Sequence, residues 1–208
     1  MKFTSFINSI NHIQTAKIGG LESQFRLAPK MRLSYNAKKI AASNPKKAAV
    51  LALFYPNQKG ETCFLLTQRA SYKGTHSAQI SFPGGKIEKS DKNLKETALR
   101  ETFEEVGVLK ENITVVREIT DVYIPPSNFL ATPFIAFTEE KPDFKTNYEV
   151  EVAFDVLLKD LLDDANITTI NITTSYAKNI DVPCFKLNNY IVWGATAMIL
   201  NEIKELLK

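Results

Sequence analysis

Apolar positions along the chain fall into a few recognisable patterns. Phe3, Phe6, Ile7 and Ile10 recur at helical spacing and predict a short amphipathic helix over residues 3–14. Residues 15–46 lose that period, with Gly19-Gly20 and Pro29 breaking regularity, and read as an N-terminal arm. Two β-rich runs follow, Ala48 to Tyr55 and Thr62 to Thr67, joined by Pro-Asn-Gln-Lys-Gly, which is a hairpin signal. Residues 80–82 suggest a further short strand ending at Pro83. Residues 93–106 form the clearest helical pattern: Asn93 with Glu96 resembles a capping box, and Gly107 is placed for a C-cap. Residues 113–123 and 129–137 read as strands separated by Pro125-Pro126. A short helix is expected over 156–162, then β-rich pieces, then a closing helix over 194–207. No repeat or low-complexity stretch interrupts this order. The pattern predicts a mixed α/β (α+β) fold, with residues 1–46 as helix and arm packed on a single domain over 47–208.

Composition narrows the class. The 208 residues are 44% apolar and include 13 Phe and 7 Tyr, enough to build a core and to exclude a disordered chain. Two cysteines, Cys63 and Cys184, exclude a disulfide scaffold and a four-cysteine zinc site. Each lies in an apolar run and is expected to be a buried free thiol. The longest apolar run, Ala48 to Tyr55, is too short to cross a membrane, and MKFTSFINSI has no apolar core of a secretory signal. A cytoplasmic protein without membrane partners is the expectation. Charge is nearly balanced but unevenly placed. No acidic residue falls between Glu22 and Glu61, where Arg26, Arg32, Lys38, Lys39 and further lysines gather. Such a sector draws polyanions or is simply solvated. It lacks an RNA-binding motif with interleaved aromatics, so no nucleic acid is expected as partner.

Glycine is scarce, at 8 residues, so the adjacent pair Gly84-Gly85 after Phe82-Pro83 stands out. A Pro-Gly-Gly turn lets backbone N–H groups approach an anion closely. In the helix that follows, Leu99, Thr102, Phe103 and Val106 share one face, and Glu101, Glu104 and Glu105 the other, with Arg100 at the border. Three like charges at these spacings repel one another, and a hard divalent cation turns that repulsion into ligation.

The run GGKIEKSDKNLKETALRETFEEVGV, Gly84 to Val108, resembles the Nudix box. Arg100, Glu101, Glu104, Glu105, Gly107 and Val108 match its dense half. The acid between glycine and arginine departs from the usual spacing, with Asp91 nearby and the loop about one residue longer. Upstream, LLTQRASYKGTHSAQISFPGG, Leu65 to Gly85, resembles the signature of the coenzyme A diphosphatase branch, with Gly74 and Ala78 departing from it. Val182-Pro183, the stretch Glu149 to Leu158, and the run Trp193 to Ala197 resemble its tail.

This resemblance implies a Nudix α/β/α sandwich with a mixed sheet between helices, and hydrolysis of a diphosphate linkage with Mg²⁺ or Mn²⁺ as cofactor. The implied substrate is a small nucleoside diphosphate derivative. Coenzyme A or its derivatives stand first, giving 3′,5′-ADP and phosphopantetheine; ADP-ribose, a dinucleotide, or nucleotide sensing without turnover are the alternatives. The metal would be held by Glu101, Glu104 and Glu105. Glu104 and then Glu149 are the candidate general bases, and Arg100 orients carboxylates. Gly84, Gly85 and Lys86 would hold phosphate, with Arg69 clamping phosphate or ion-pairing with the box. His76 and Phe82 complete the candidate substrate contacts, and Trp193 is expected to pack. A homodimer is compatible with the family.

Overall fold

The computed structural model describes residues 1–70, 79–173 and 179–208. Four short helices lead the chain: α1 (Phe3–Asn8), α2 (Ile10–Thr15), α3 (Gly20–Phe25) and α4 (Ala37–Ala42). Then come β1 (Lys46–Pro56), β2 (Thr62–Arg69), β3 (Ile80–Ser81), β4 (Gly84–Lys86) and α5 (Leu94–Val106). The remainder is β5 (Thr114–Glu118), β6 (Val122–Ile124), β7 (Phe129–Phe137), β8 (Val150–Leu157), α6 (Leu158–Leu162), β9 (Ile167–Ile172), β10 (Ile180–Leu187), β11 (Tyr190–Trp193) and α7 (Gly194–Leu206).

Among the described residues, β1 to β8 form one mixed sheet whose central path runs β3-β2-β1-β7-β5. β1 and β7 pair in parallel from Lys46–Phe129 to Phe54–Phe137, while β2 and β4 lie antiparallel to β1. β1 is apolar almost throughout because both its faces are covered. Ala49, Leu51, Leu53 and Tyr55 face a core shared with Ala98, Leu99 and Val106 of α5. Ala52 and Phe54 face the opposite core, which holds Ala197, Leu200 and Ile203 of α7. A second, antiparallel sheet, β9-β10-β11, borders that core, contributing Phe185 and Val192. α7 is buried nearly all round, as expected of a helix enclosed by other elements.

Local signals were followed closely. Asn93 Oδ1 accepts the Glu96 N–H at 3.0 Å and Gly107 takes φ 75°, donating to Phe103 O, so α5 is capped at both predicted ends. Asn57 Oδ1 accepts the Lys59 and Glu61 N–H groups and closes the β1–β2 hairpin. Cys63 and Cys184 are buried free thiols.

Three expectations are corrected. The helix predicted over 3–14 breaks at Ser9, whose hydroxyl donates back to Phe6 O at 2.7 Å and competes with the helical ladder. The arm is not irregular throughout, since it contains α3 and α4. The helix expected over 156–162 begins only at Leu158. Val150, Val152 and Val156 favour an extended backbone, and β8 pairs with β2 through Val156–Phe64 and Leu157–Cys63.

Candidate active site

Small side chains open a cavity of about 510 Å³ at one end of the sheet, beside the N-terminus of α7. On the face of β1 that meets α7, Phe54 fills the far end, but Ala48 and Val50 line the near end, with Ala131 of β7 beside them. The carboxylates of α5 reach this space past β4. That approach depends on glycine. A methyl on Gly84, which has φ 154°, would overlap Ala49 O, and one on Gly85 would overlap the Glu101 carboxylate.

The three glutamates of α5 differ sharply in environment. Glu105 is buried, with 5% of its side chain exposed, and its Oε2 accepts the Gly84 N–H at 3.2 Å. Burial pushes its pKa up to about 7, against the opposing pull of that N–H and of Arg69, while Glu101 and Glu149 push the same way as burial. Glu101 is also raised, again by burial first. Glu104 is half-exposed. The expected face pattern is therefore corrected: Phe103 is 49% exposed, and Glu105 takes its place on the packed side of α5. Core contacts from Ala98 and Thr102 centre the buried face nearer Glu105 than Phe103.

Arg100 binds the box together. Its Nε and Nη2 reach the two Asp91 oxygens at 2.9 and 3.0 Å, its Nη1 reaches Glu101 and Glu104 at 3.0 Å each, and Nη2 also donates to Lys86 O. The Arg100 hydrogen bonds hold Asp91 at a pKa of about 2. Arg69, at the end of β2, stands 3.7 Å from Glu105 and 3.3 Å from Glu149, and its buried Nε has no partner among the described residues. Phe82, Gly85, Lys86 and Glu149 line the same cavity. Gly84 lines it too, but its N–H is engaged by Glu105 rather than free for an anion. His76 lies outside the described residues.

Among the described residues, no three His, Cys, Asp or Glu side chains converge on a single point that would hold a metal ion. Glu101 and Glu104 are turned onto Arg100, and Glu105 towards Gly84 and Arg69. The donor set nevertheless fits a hard divalent cation in chemistry. All three offer carboxylate oxygen, and the two most buried have pKa values raised by burial and by neighbouring carboxylates, an environment that a cation relieves.

Arg32 and Trp193 are among the contributors to the cavity that escaped sequence reasoning. Arg32 comes from a turn of 3₁₀ helix in the arm, over residues 30–34. Trp193, expected only to pack, lines the cavity beside Thr196 and Ile199. The WGATA run was a signal for Trp193. None marked Arg32 out from the other basic residues of the arm.

Fold and site together define an α/β sandwich in which an acidic helix is set behind a glycine-pair strand at the mouth of one cavity. The chain belongs to the Nudix family: the NUDIX domain model matches residues 45–166, more than half of its length. It is 33% identical over 150 residues to the uncharacterised Nudix hydrolase NudL of Pectobacterium atrosepticum, covering 67% of this chain and 72% of that one. It is 32% identical over 163 residues to "Nudix hydrolase 15, mitochondrial" of Arabidopsis thaliana, covering 75% of this chain. The chain spans little over half of that protein and of a second Arabidopsis relative, 56% and 53%. The NUDIX domain of Shewanella oneidensis NrtR, solved with ADP ribose, shares the fold at a TM-score of 0.54 and 16% identity, over 86% of this chain and 97% of that one. Among the described residues no helix is long and apolar enough to cross a membrane.

Proposed function

We propose that the chain hydrolyses the diphosphate linkage of a nucleoside diphosphate derivative, with coenzyme A or its derivatives as first candidate. The observation that carries this reading is the joining of the Glu101, Glu104 and Glu105 carboxylates with the Gly84-Gly85 strand at one cavity mouth. Glu101 and Glu105, with Glu104 beside them, would hold Mg²⁺ or Mn²⁺, which when bound would supply polarisation of a phosphoryl oxygen and a lowered pKa for water. The chain's own residues do the rest. Arg100 has its donors directed onto Asp91, Glu101, Glu104 and a backbone carbonyl, so it orients carboxylates and leaves phosphate to others. Lys86 takes the second phosphate, since the Gly85 backbone is already paired with Ala49 of β1. Arg69 bridges Glu105 and Glu149, so its first role is to offset their repulsion and hold those two carboxylates together. Glu104, the most exposed of the box glutamates, is the first choice for taking a proton from attacking water, and Glu149 the second.

The test is chromatographic product analysis after incubation with Mg²⁺ and coenzyme A, ADP-ribose, NADH or a nucleoside triphosphate, with Glu105→Gln in parallel. Metal-dependent 3′,5′-ADP from coenzyme A alone, lost in the variant, supports the narrow reading. Cleavage of another compound keeps the hydrolase and replaces the substrate. Binding without cleavage of any compound leaves a nucleotide-sensing module.

A further inference from the structure

Besides the box residues, the cavity is lined by a different kind of surface. Ile124, Pro126 and Phe129 come to it from β6, the turn that follows and β7, and Trp193, Thr196 and Ile199 from the end of β11 and from α7. The charged residue contributed from the arm, Arg32, donates to Tyr123 O at 3.1 Å and to Met198 Sδ at 3.4 Å. Thr196 Oγ1 is likewise engaged, donating to Ile80 O at 2.9 Å. Trp193 differs. It ends β11, fixed in register opposite Cys184, directly before α7 starts at Gly194. Its side chain is only partly buried, and among the described residues no acceptor meets its indole N–H. An aromatic ring with an unmatched donor, set in a largely apolar wall, suits a planar ligand that has ring acceptors. Phe129 adds a second ring to the cavity lining.

We propose that Trp193 is a specificity-determining residue, against whose indole the nucleobase of the substrate lies. This rests on the nucleoside diphosphate reading above and extends it to the group that the diphosphate carries. An aliphatic arm placed there would gain burial from any apolar wall and would make no use of two aromatic rings.

Trp193 is the chain's single tryptophan, so its emission reports on this wall alone. The wild-type protein is titrated in EDTA, where no hydrolysis competes, with AMP, 4′-phosphopantetheine and inorganic pyrophosphate separately. The expected result is a saturable change in emission with AMP and none with the other two. The same change with pyrophosphate, a change with 4′-phosphopantetheine but not AMP, or no change with AMP would each overturn the assignment. Turnover is then measured with whichever diphosphate proves to be the substrate: Trp193→Ala should raise KM about 10-fold, with Trp193→Phe restoring most of it. Equal KM values for all three proteins would also overturn it. Emission that responds to AMP in a protein that cleaves nothing would keep this assignment and remove the hydrolase. Active cleavage with silent emission would do the reverse.

Discussion

Arg100 and Asp91 show how one ion pair fixes several groups at once. Asp91 has 4% of its side chain exposed, and both its oxygens receive Arg100 donors. Its pKa is lowered to about 2, so its stabilising effect is complete above the unfolded value near 3.8 and is lost as pH falls through about 2. Asp91→Asn should therefore cost about 2 kcal/mol between pH 5 and 8, with the gap to wild type closing as pH falls below 3.8, measured by urea denaturation across pH. A constant gap at all pH would mean that the pair contributes through packing and not through charge. Losing Asp91 also frees Arg100 to swing, which loosens Glu101 and Glu104. The same scale decides the general base. Glu104→Gln is expected to lower kcat by about 10² to 10⁴-fold and Glu149→Gln by less. Near-normal turnover in the first and none in the second would reverse their order.

Elements whose cause is local were legible in the sequence, and elements whose cause is tertiary were not. Asn93, Gly107 and the Asn57 turn act within a few residues of themselves, and each appears where the pattern placed it. The rotation of α5 about its axis is set by β1, β4 and β7, so periodicity alone put Phe103 inward and Glu105 outward. β8 was read as partly helical because its pairing with β2 is some ninety residues distant in sequence. The glycine pair was recognised, but its division of labour required the structure. A methyl at Gly84 would meet backbone, which cannot move aside, whereas one at Gly85 would meet the end of the Glu101 side chain, which can. Gly84→Ala should therefore lower the melting temperature sharply. Gly85→Ala should keep most of its stability and lose activity by displacing Glu101. A Gly85→Ala protein with full turnover would show that the Glu101 position is not needed for the reaction.

The molecule as a whole is more continuous than a domain with an appended arm. Phe6 is fully buried and stacks on Phe54 with centroids 4.8 Å apart, so α1 covers the sheet centre. Glu202 of α7 is also fully buried and accepts from the Gly20 N–H, Gln24 Nε2 and Thr120 Oγ1, joining α3 to the β5–β6 turn. Tyr35 packs on Tyr123 at 5.2 Å, holding the segment that carries Arg32 against the cavity wall. These attachments are separate, and they predict separate consequences. Phe6→Ala removes a buried ring about twenty-five residues before Arg32 and should cost about 3–5 kcal/mol while leaving KM unchanged. Glu202→Ala removes an acceptor from three donors and weakens the α3–α7 contact, leaving Asn201 to hold Ser23, and should raise KM as well as lower stability. Denaturation and steady-state kinetics on both variants separate the cases. A raised KM in Phe6→Ala would mean that the arm moves as one body and that substrate affinity depends on its docking as a whole.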